Sequence, residues 1–204
     1  MSLASRKEKE FNIRKNDIIE AARELFFTKG FRETTMENIA QKAEFTKKTL
    51  YSYFLSKYDL YFAVIIQSVN ESSHTYDETI ENRITGIDKL HAFADRYFKC
   101  YKENPQYFQL LKYKWEVQLN LEKVSPILQE ERNRTVMKNH TRLFNVFEIG
   151  KKDDTIRTDI DIKIAVEYFM STLQTICSMI FFRESKHDSF FYMNLDFLLR
   201  SFKA

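Results

Sequence analysis

Only three glycines (Gly30, Gly86, Gly150) and two prolines (Pro105, Pro126) interrupt the 204 residues of this chain. Hairpins and tight turns draw on glycine for positive φ and on proline for a preset φ, so a chain this poor in both favours long uninterrupted helices. All five residues fall where an apolar periodicity starts or stops, as helix punctuation should. The fold class this implies is all-α. A composition of 44% apolar and 30% charged residues is that of a folded globular chain rather than a disordered one. No run approaches the roughly 18 consecutive apolar residues of a membrane span. The opening MSLASRKEKEFNIRK is too charged for a signal peptide, so the expected location is the cytoplasm, with no membrane partner. Cys100 and Cys177 are too far apart for a zinc site and too few for a disulfide framework, and read as reduced thiols.

Ile18, Ala21, Ala22, Leu25 and Phe26 recur at helical spacing, and Lys29-Gly30 supplies a basic last turn with a glycine placed for a left-handed cap, predicting a first helix over 12–29. Thr34 and Thr35 both offer N-caps, with Glu37 three residues after Thr34 as in a capping box, ahead of the stripe Met36, Ile39, Ala40 and Ala43. Thr46 is the next N-cap, ahead of Leu50, Tyr53 and Phe54. Ser56 and Asp59 repeat the capping-box pattern and open a longer helix through Tyr61, Phe62, Ile65, Ile66 and Val69. Further on, Gly86 precedes a helix through Leu90, Phe93, Tyr97 and Tyr101, Pro105 opens one through Phe108, Leu111 and Trp115, and Pro126 starts a long helix that Gly150 closes. Two apolar segments, 164–182 and 189–202, complete the pattern.

The third helix carries the functional signal. Leu50, Tyr53 and Phe54 take its buried face, so Lys47, Lys48, Tyr51 and Ser52 point elsewhere, mostly together. A basic, hydroxyl-bearing face suits phosphates, which lysines neutralise and hydroxyls donate to. Residues 1–62 hold 12 Lys+Arg against 9 Asp+Glu while the remainder is balanced, so the whole net charge of +3 sits in the first third. Two short helices joined by about three residues, the second with the polar face, have the layout of a helix-turn-helix. An ordinary αα-hairpin with a solvated lysine pair has the same local pattern.

Residues 18–65, IIEAARELFFTKGFRETTMENIAQKAEFTKKTLYSYFLSKYDLYFAVI, closely resemble the N-terminal DNA-binding region of the tetracycline-repressor (TetR) family. The matching features are Ala21-Ala22 with Leu25-Phe26, Gly30-Phe31, Thr34-Thr35, Ile39-Ala40, Ala43, Thr49-Leu50-Tyr51 with Tyr53-Phe54, and Lys57 with Leu60. They cover about a quarter of the chain; the remainder is similar in helical layout and length alone. The turn departs from the family's usual Ala-Gly-Val-Ser, reading Ala43-Glu44-Phe45-Thr46. If Glu44 takes a positive φ, a non-glycine residue there carries strain. An acid beside the groove could also alter base preference.

The resemblance implies a three-helix DNA-binding domain over 1–56 and an effector-binding and dimerisation domain over 57–204. Carried over residue by residue, it implies that Thr35, Tyr51, Tyr53 and Lys57 touch phosphates, while Thr46, Lys47 and Lys48 lie nearest base edges. It further implies a regulator, more often a repressor, that binds a palindromic operator in double-stranded DNA and is released by a small, largely apolar effector. Physically, one such module makes few contacts for operator-level affinity, so a homodimer is expected. The family places its interface on the last two helices; a monomer core has the same pattern. Candidate effector-pocket walls are Tyr97, Tyr101, Phe108, Leu111, Trp115, Phe147, Phe169, Leu173 and Cys177, all of which core packing would also explain. Glu116, Glu167 and Gln174 are polar residues inside apolar runs, and Glu116 is added to the candidate pocket.

No cofactor or metal is implied, and the chain reads as no enzyme. Glu71-Ser72-Ser73-His74 and Glu184-Ser185-Lys186-His187 have the Glu-x-x-His spacing of a di-metal bundle, but both are polar on every side and poorly placed to project inward. A third class, an effector-binding adaptor without an operator, shares the bundle.

Overall fold

The computed structural model describes the backbone of residues 3–103, 110, 120–182 and 188–204, and their side chains except at 3–5, 69, 71–79, 181 and 182. Eight α-helices lie among the described residues: α1 Leu3–Thr28, α2 Met36–Lys42, α3 Lys47–Tyr53, α4 Lys57–Glu81, α5 Gly86–Glu103, α6 Pro126–Lys152, α7 Ile162–Phe182 and α8 Asp188–Arg200. A short 3-10 turn, Leu121–Lys123, precedes α6, and an isolated antiparallel bridge pairs Ile156 with Lys203. The all-α expectation holds. No described helix is long and apolar enough to cross a membrane.

Two compact units form, Met1–Val69 with Gln109–Asn133, and Asn70–Phe108 with Arg134–Ala204. The first takes in the start of α4 and a later stretch of the chain. Its core gathers Ile18, Ala22, Phe26, Phe31, Ile39, Leu50 and Phe54 with Leu60, Tyr61 and Val64 of α4, and takes in Leu110, Val124 and Leu128. Burying those later side chains draws the second segment into the unit.

Helix α1 begins well before residue 12. Residues 3–15 contain neither glycine nor proline and are rich in Arg, Lys and Glu, all good helix formers. Arg14 donates to Glu10 one turn back at 2.5 Å, and the Phe11 ring stacks on Tyr53 with centroids 4.6 Å apart. The helix ends at Thr28, and Gly30 (φ 85) takes the left-handed cap position. The expected capping box shifts by one residue: Thr35 is the N-cap of α2, its Oγ1 accepting the Asn38 N–H while the Asn38 side chain accepts the Thr35 N–H. Thr34 is fully buried and donates to the Gly30 carbonyl at 2.8 Å, which removes it from capping.

In the second unit α5, α7 and α8 pack together. Phe98 of α5 lies flat on Phe191 of α8, centroids 4.0 Å apart. Phe93, Phe147, Phe169 and Phe202 form an aromatic cluster with neighbouring centroids 5.1 to 6.3 Å apart. Pro126 opens α6, as expected, but Gly150 does not close it: the helix runs on to Lys152 and the left-handed residue is Asp154, φ 57. Gly150 serves a different end. A Cβ on Gly86 would stand 2.2 Å from the Gly150 Cα and 2.4 Å from its nitrogen, so the start of α5 and the last turns of α6 touch backbone to backbone. The first N–H groups of α5 are met there too, Gly86 donating to Asp153 Oδ2 at 2.7 Å and Ile87 to Thr155 Oγ1 at 3.2 Å.

Gly86→Ala separates contact from propensity. Ala is the better helix former by up to about 1 kcal/mol, whereas a methyl forced against backbone costs about 1–3 kcal/mol. We expect a lower urea midpoint followed by circular dichroism; an unchanged or raised midpoint would show that the two backbones separate freely.

Candidate nucleic-acid interface

Helix α2 ends in a Schellman turn. The Glu44 N–H donates to the Gln41 carbonyl at 3.2 Å and the Phe45 N–H to the Ala40 carbonyl at 2.9 Å. Closing both bonds puts Glu44 in the left-handed region, φ 59, so the strain expected of a non-glycine residue is present. Phe45 packs against the core immediately after, and Thr46 caps α3, its Oγ1 accepting the Thr49 N–H at 3.1 Å. The two short helices are thereby set at a fixed turn by two backbone bonds, the packed Phe45 ring and the Thr46 cap.

On α3, Leu50 is fully buried, while Lys47, Lys48, Tyr51 and Ser52 are exposed. The Ser52 hydroxyl turns back to its own helix, donating to the Thr49 carbonyl at 2.6 Å. Lys47 pairs with Glu37 of α2. That hydrogen bond holds the Glu37 carboxyl below the usual carboxylate range and raises the Lys47 ammonium. Lys48 makes no ion pair among the described residues, and Tyr51 is 41% exposed. Thr35 and Thr46 are exposed at the starts of α2 and α3. Tyr53 and Lys57 are half-buried: the Tyr53 ring lies on Phe11, and Lys57 donates to the Arg32 carbonyl at 3.1 Å with its ammonium 4.6 Å above the Phe31 ring. The structure thus brings Thr46, Lys47, Lys48 and Tyr51 onto one short helix with Thr35 on the helix that pairs with it.

The start of α4 holds a feature the sequence presents only as a cap. Asp59 is 1% exposed, and its two oxygens accept the Leu55 N–H at 2.9 Å and the Ser125 N–H at 2.7 Å. Ser56 accepts the Asp59 N–H at 3.1 Å and donates to the Lys123 carbonyl at 2.6 Å, while Tyr61 donates to the Leu110 carbonyl at 2.8 Å. Half of the expected capping box forms; in place of the other half Asp59 takes the Leu55 N–H close by and the Ser125 N–H 66 residues on. A surface groove of about 490 Å³ lies between these parts, lined by Tyr51, Lys57, Tyr58, Lys123 and Ser125 among others.

Of the candidate pocket residues, Phe147, Phe169, Leu173 and Cys177 are fully buried, Tyr101 is buried and Tyr97 half-buried. Phe147 and Phe169 belong to the aromatic cluster of the second unit. Burial pushes the Tyr101 hydroxyl up to about 12, with the neighbouring Cys177 adding to it, and pushes the Cys177 thiol up to about 12. Cys177 is therefore a neutral, packed thiol. Phe108, Leu111, Trp115 and Glu116 lie outside the described residues, as do Glu184 and His187 and the side chains of Glu71 and His74. Glu167 is exposed and Gln174 half-buried. Among the described residues no group of three His, Cys, Asp or Glu could hold a metal ion.

Residues 18–64 match the model of the bacterial regulatory proteins, tetR family. The chain is 26% identical over 98 residues to the HTH-type transcriptional activator FasR of Mycolicibacterium smegmatis, covering 48% of this chain and 45% of that one, so the match spans less than half of that relative. It is 20% identical over 172 residues to the fatty acid metabolism regulator protein of Bacillus subtilis, covering 84% of this chain and 85% of that one. The crystal structure of the Bacillus subtilis transcriptional regulator FadR in complex with stearoyl-CoA superposes with a TM-score of 0.70 at 19% identity, over 90% of this chain and 95% of that one. At that identity the likeness establishes the fold.

Two substitutions test this local geometry. Glu44→Gly relieves the left-handed strain and should raise stability by about 0.5–1 kcal/mol, the αL penalty less the added backbone entropy of glycine; a lower urea midpoint would mean that the Glu44 side chain makes a contact of its own. Asp59→Asn turns an amide N–H₂ toward one of two N–H donors, leaves a buried hydrogen bond unmade and should cost about 1–3 kcal/mol. Amide exchange at Leu55 and Ser125 should quicken in step, and unchanged exchange at both would remove the carboxylate from this role.

Proposed function

We propose that this chain, a tetR-family bacterial regulatory protein by its residues 18–64, acts as a homodimeric transcriptional repressor in the cytoplasm, binding a palindromic operator and leaving it when a largely apolar effector binds. The observation that carries the reading is the outward face of α3, where a lysine with no ion pair among the described residues and an exposed tyrosine stand beside a threonine N-cap on a helix set by the Schellman turn. An α-helix with its side chains is about 10–12 Å across and fits the major groove of B-DNA, about 12 Å wide. In this reading Thr46 and Lys48 meet base edges, Lys48 taking the O6 and N7 acceptors of guanine, while Thr35 and Tyr51 donate to phosphates on either side. Lys47 is tied to Glu37 and chiefly orients α3. Tyr53 and Lys57 brace the module from its edge and offer their polar ends to the flanking backbone.

Exposed apolar side chains on α7 and α8 support the dimer. Ile164 is 68% exposed and Phe197 67%, with Tyr168, Tyr192 and Met193 also open to solvent. An apolar surface of this kind on two helices packed together is what a second copy would cover. The aromatic-rich second unit supports an apolar effector, and the named function of the Bacillus subtilis relative points to an acyl chain as its class. Tyr97, Tyr101, Leu173 and Cys177 are the side chains we assign to its surroundings, with Phe147 and Phe169 behind them.

Selection of bound duplexes from a random pool tests the reading, with Lys48→Ala/Tyr51→Ala protein in parallel. We expect a palindrome enriched by the parent chain and lost in the double variant, and release of that palindrome when stearoyl-CoA is added. Enrichment that survives the double substitution would remove α3 as the reading element, and a palindrome held unchanged by stearoyl-CoA would remove the acyl effector.

A further inference from the structure

We propose that the first turns of α1, residues 6–15, form a phosphate-binding arm that grips the duplex whose groove α3 enters; the proposal rests on the DNA-binding reading above. The arm has Arg6, Lys7, Lys9, Arg14 and Lys15 against Glu8 and Glu10. Glu10 is already neutralised by Arg14 at 2.5 Å, whereas Arg6, Lys7 and Lys9 are exposed and make no ion pair among the described residues. A cationic stretch of this kind is more than a helix needs for solubility, and a packed core does not use it: its apolar members Phe11 and Ile13 are themselves 47% and 52% exposed.

What directs the arm to DNA is where it is held. The Phe11 ring stacks on Tyr53, the last residue of α3, with centroids 4.6 Å apart and planes 23° from parallel. Lys7 lies one turn before Phe11 and Arg14 nearly one turn after, so both share the Phe11 face of the helix. At 1.5 Å rise per residue Lys7 stands about 6 Å along the axis from the ring that touches α3. A helix lying in the major groove has phosphate backbone on both flanks, and cations this close to one end of it meet those phosphates. These phosphate bonds add affinity without adding sequence preference, because every base pair presents the same phosphates.

The test uses the full chain and two duplexes of equal length, the selected operator and an unrelated sequence, with affinity followed by fluorescence anisotropy from about 50 to 300 mM salt. Arg6→Ala, Lys7→Ala and Lys9→Ala together should lower the slope of log affinity against log salt by about 1, at roughly 0.9 for each phosphate no longer neutralised, since of the three Lys7 shares the Phe11 face. Affinity near 150 mM should fall roughly fivefold, by the same factor on both duplexes. Phe11→Ala, which keeps every charge and frees the arm from Tyr53, should shift both quantities in the same direction, with circular dichroism showing the fold retained. An unchanged slope in the triple variant would overturn the arm, and so would a weakening confined to the operator, which would mean base reading. A silent Phe11→Ala would overturn the anchoring. Failure of the parent chain to bind either duplex would instead defeat the DNA-binding reading, and the arm with it.

Discussion

A carboxylate almost removed from water persists only where hydrogen-bond donors replace its solvent, and Asp59 draws one of those donors from four residues back and the other from 66 residues on. One is the Leu55 N–H, at the edge of the helix-turn-helix. The other is the Ser125 N–H, the residue before α6 begins. With Ser56 bound to the Lys123 carbonyl and Tyr61 to the Leu110 carbonyl, the start of α4 is fastened at three points, to Leu110, Lys123 and Ser125. Any displacement of the first residues of α6 must therefore be followed by α4 or break bonds to a buried charge. The covalent path from α3 to α4 is two residues of linker after Phe54, so that constraint reaches α3 with little slack.

Phe31 does the apolar share of the same task. It is 1% exposed and touches Phe26 of α1 and Tyr58 and Tyr61 of α4 at ring separations of 5.4 to 5.5 Å. Edge-on and tilted arrangements at such distances suit the ring quadrupoles. Gly30 makes the placement possible, since its left-handed φ turns the chain so that the next side chain drops under α4. Lys57 then lies across the outer face of the ring and reaches the Arg32 carbonyl, so the cation nearest the module's edge is oriented by the core beneath it.

Much of this is legible in the residues because its causes are local. Pro126 opening α6, Thr46 capping α3, Gly30 ending α1 and the positive φ at Glu44 each depend on neighbours within a few positions. Thr34 and Thr35 are ambiguous in sequence, since Glu37 and Asn38 give both a partner at the right spacing; burial of Thr34 against the Gly30 carbonyl decides between them. The early start of α1 escapes an apolar-periodicity reading because its first turns are held by propensity and one aromatic stack. Gly150 looks like a terminator because nothing nearby in sequence marks its contact with Gly86. Asp59 hides for the same reason, with one of its two partners next to it and the other 66 residues on. The candidate pocket residues are mostly aromatic members of helical stripes, a pattern that cannot separate a wall from a core.

The two lysines that open α3 look interchangeable in the sequence, and the fold makes them different. Glu37 stands at the first turn of α2, where an acid favours the helix dipole, and from there it captures Lys47 across the turn. An exposed pair of this kind contributes little to stability, yet it restricts the rotation of α3 about its own axis and lowers the free charge on that side of the helix. Lys48, one residue on and about 100° around the helix, meets no such acid among the described residues. A phosphate that drew Lys47 away would leave the Glu37 carboxylate beside it, an unfavourable exchange, whereas an approach to Lys48 incurs no such repulsion. The same acid that orients the helix therefore leaves the open cation at Lys48, and this division follows from one carboxylate ten residues upstream of the lysine it binds.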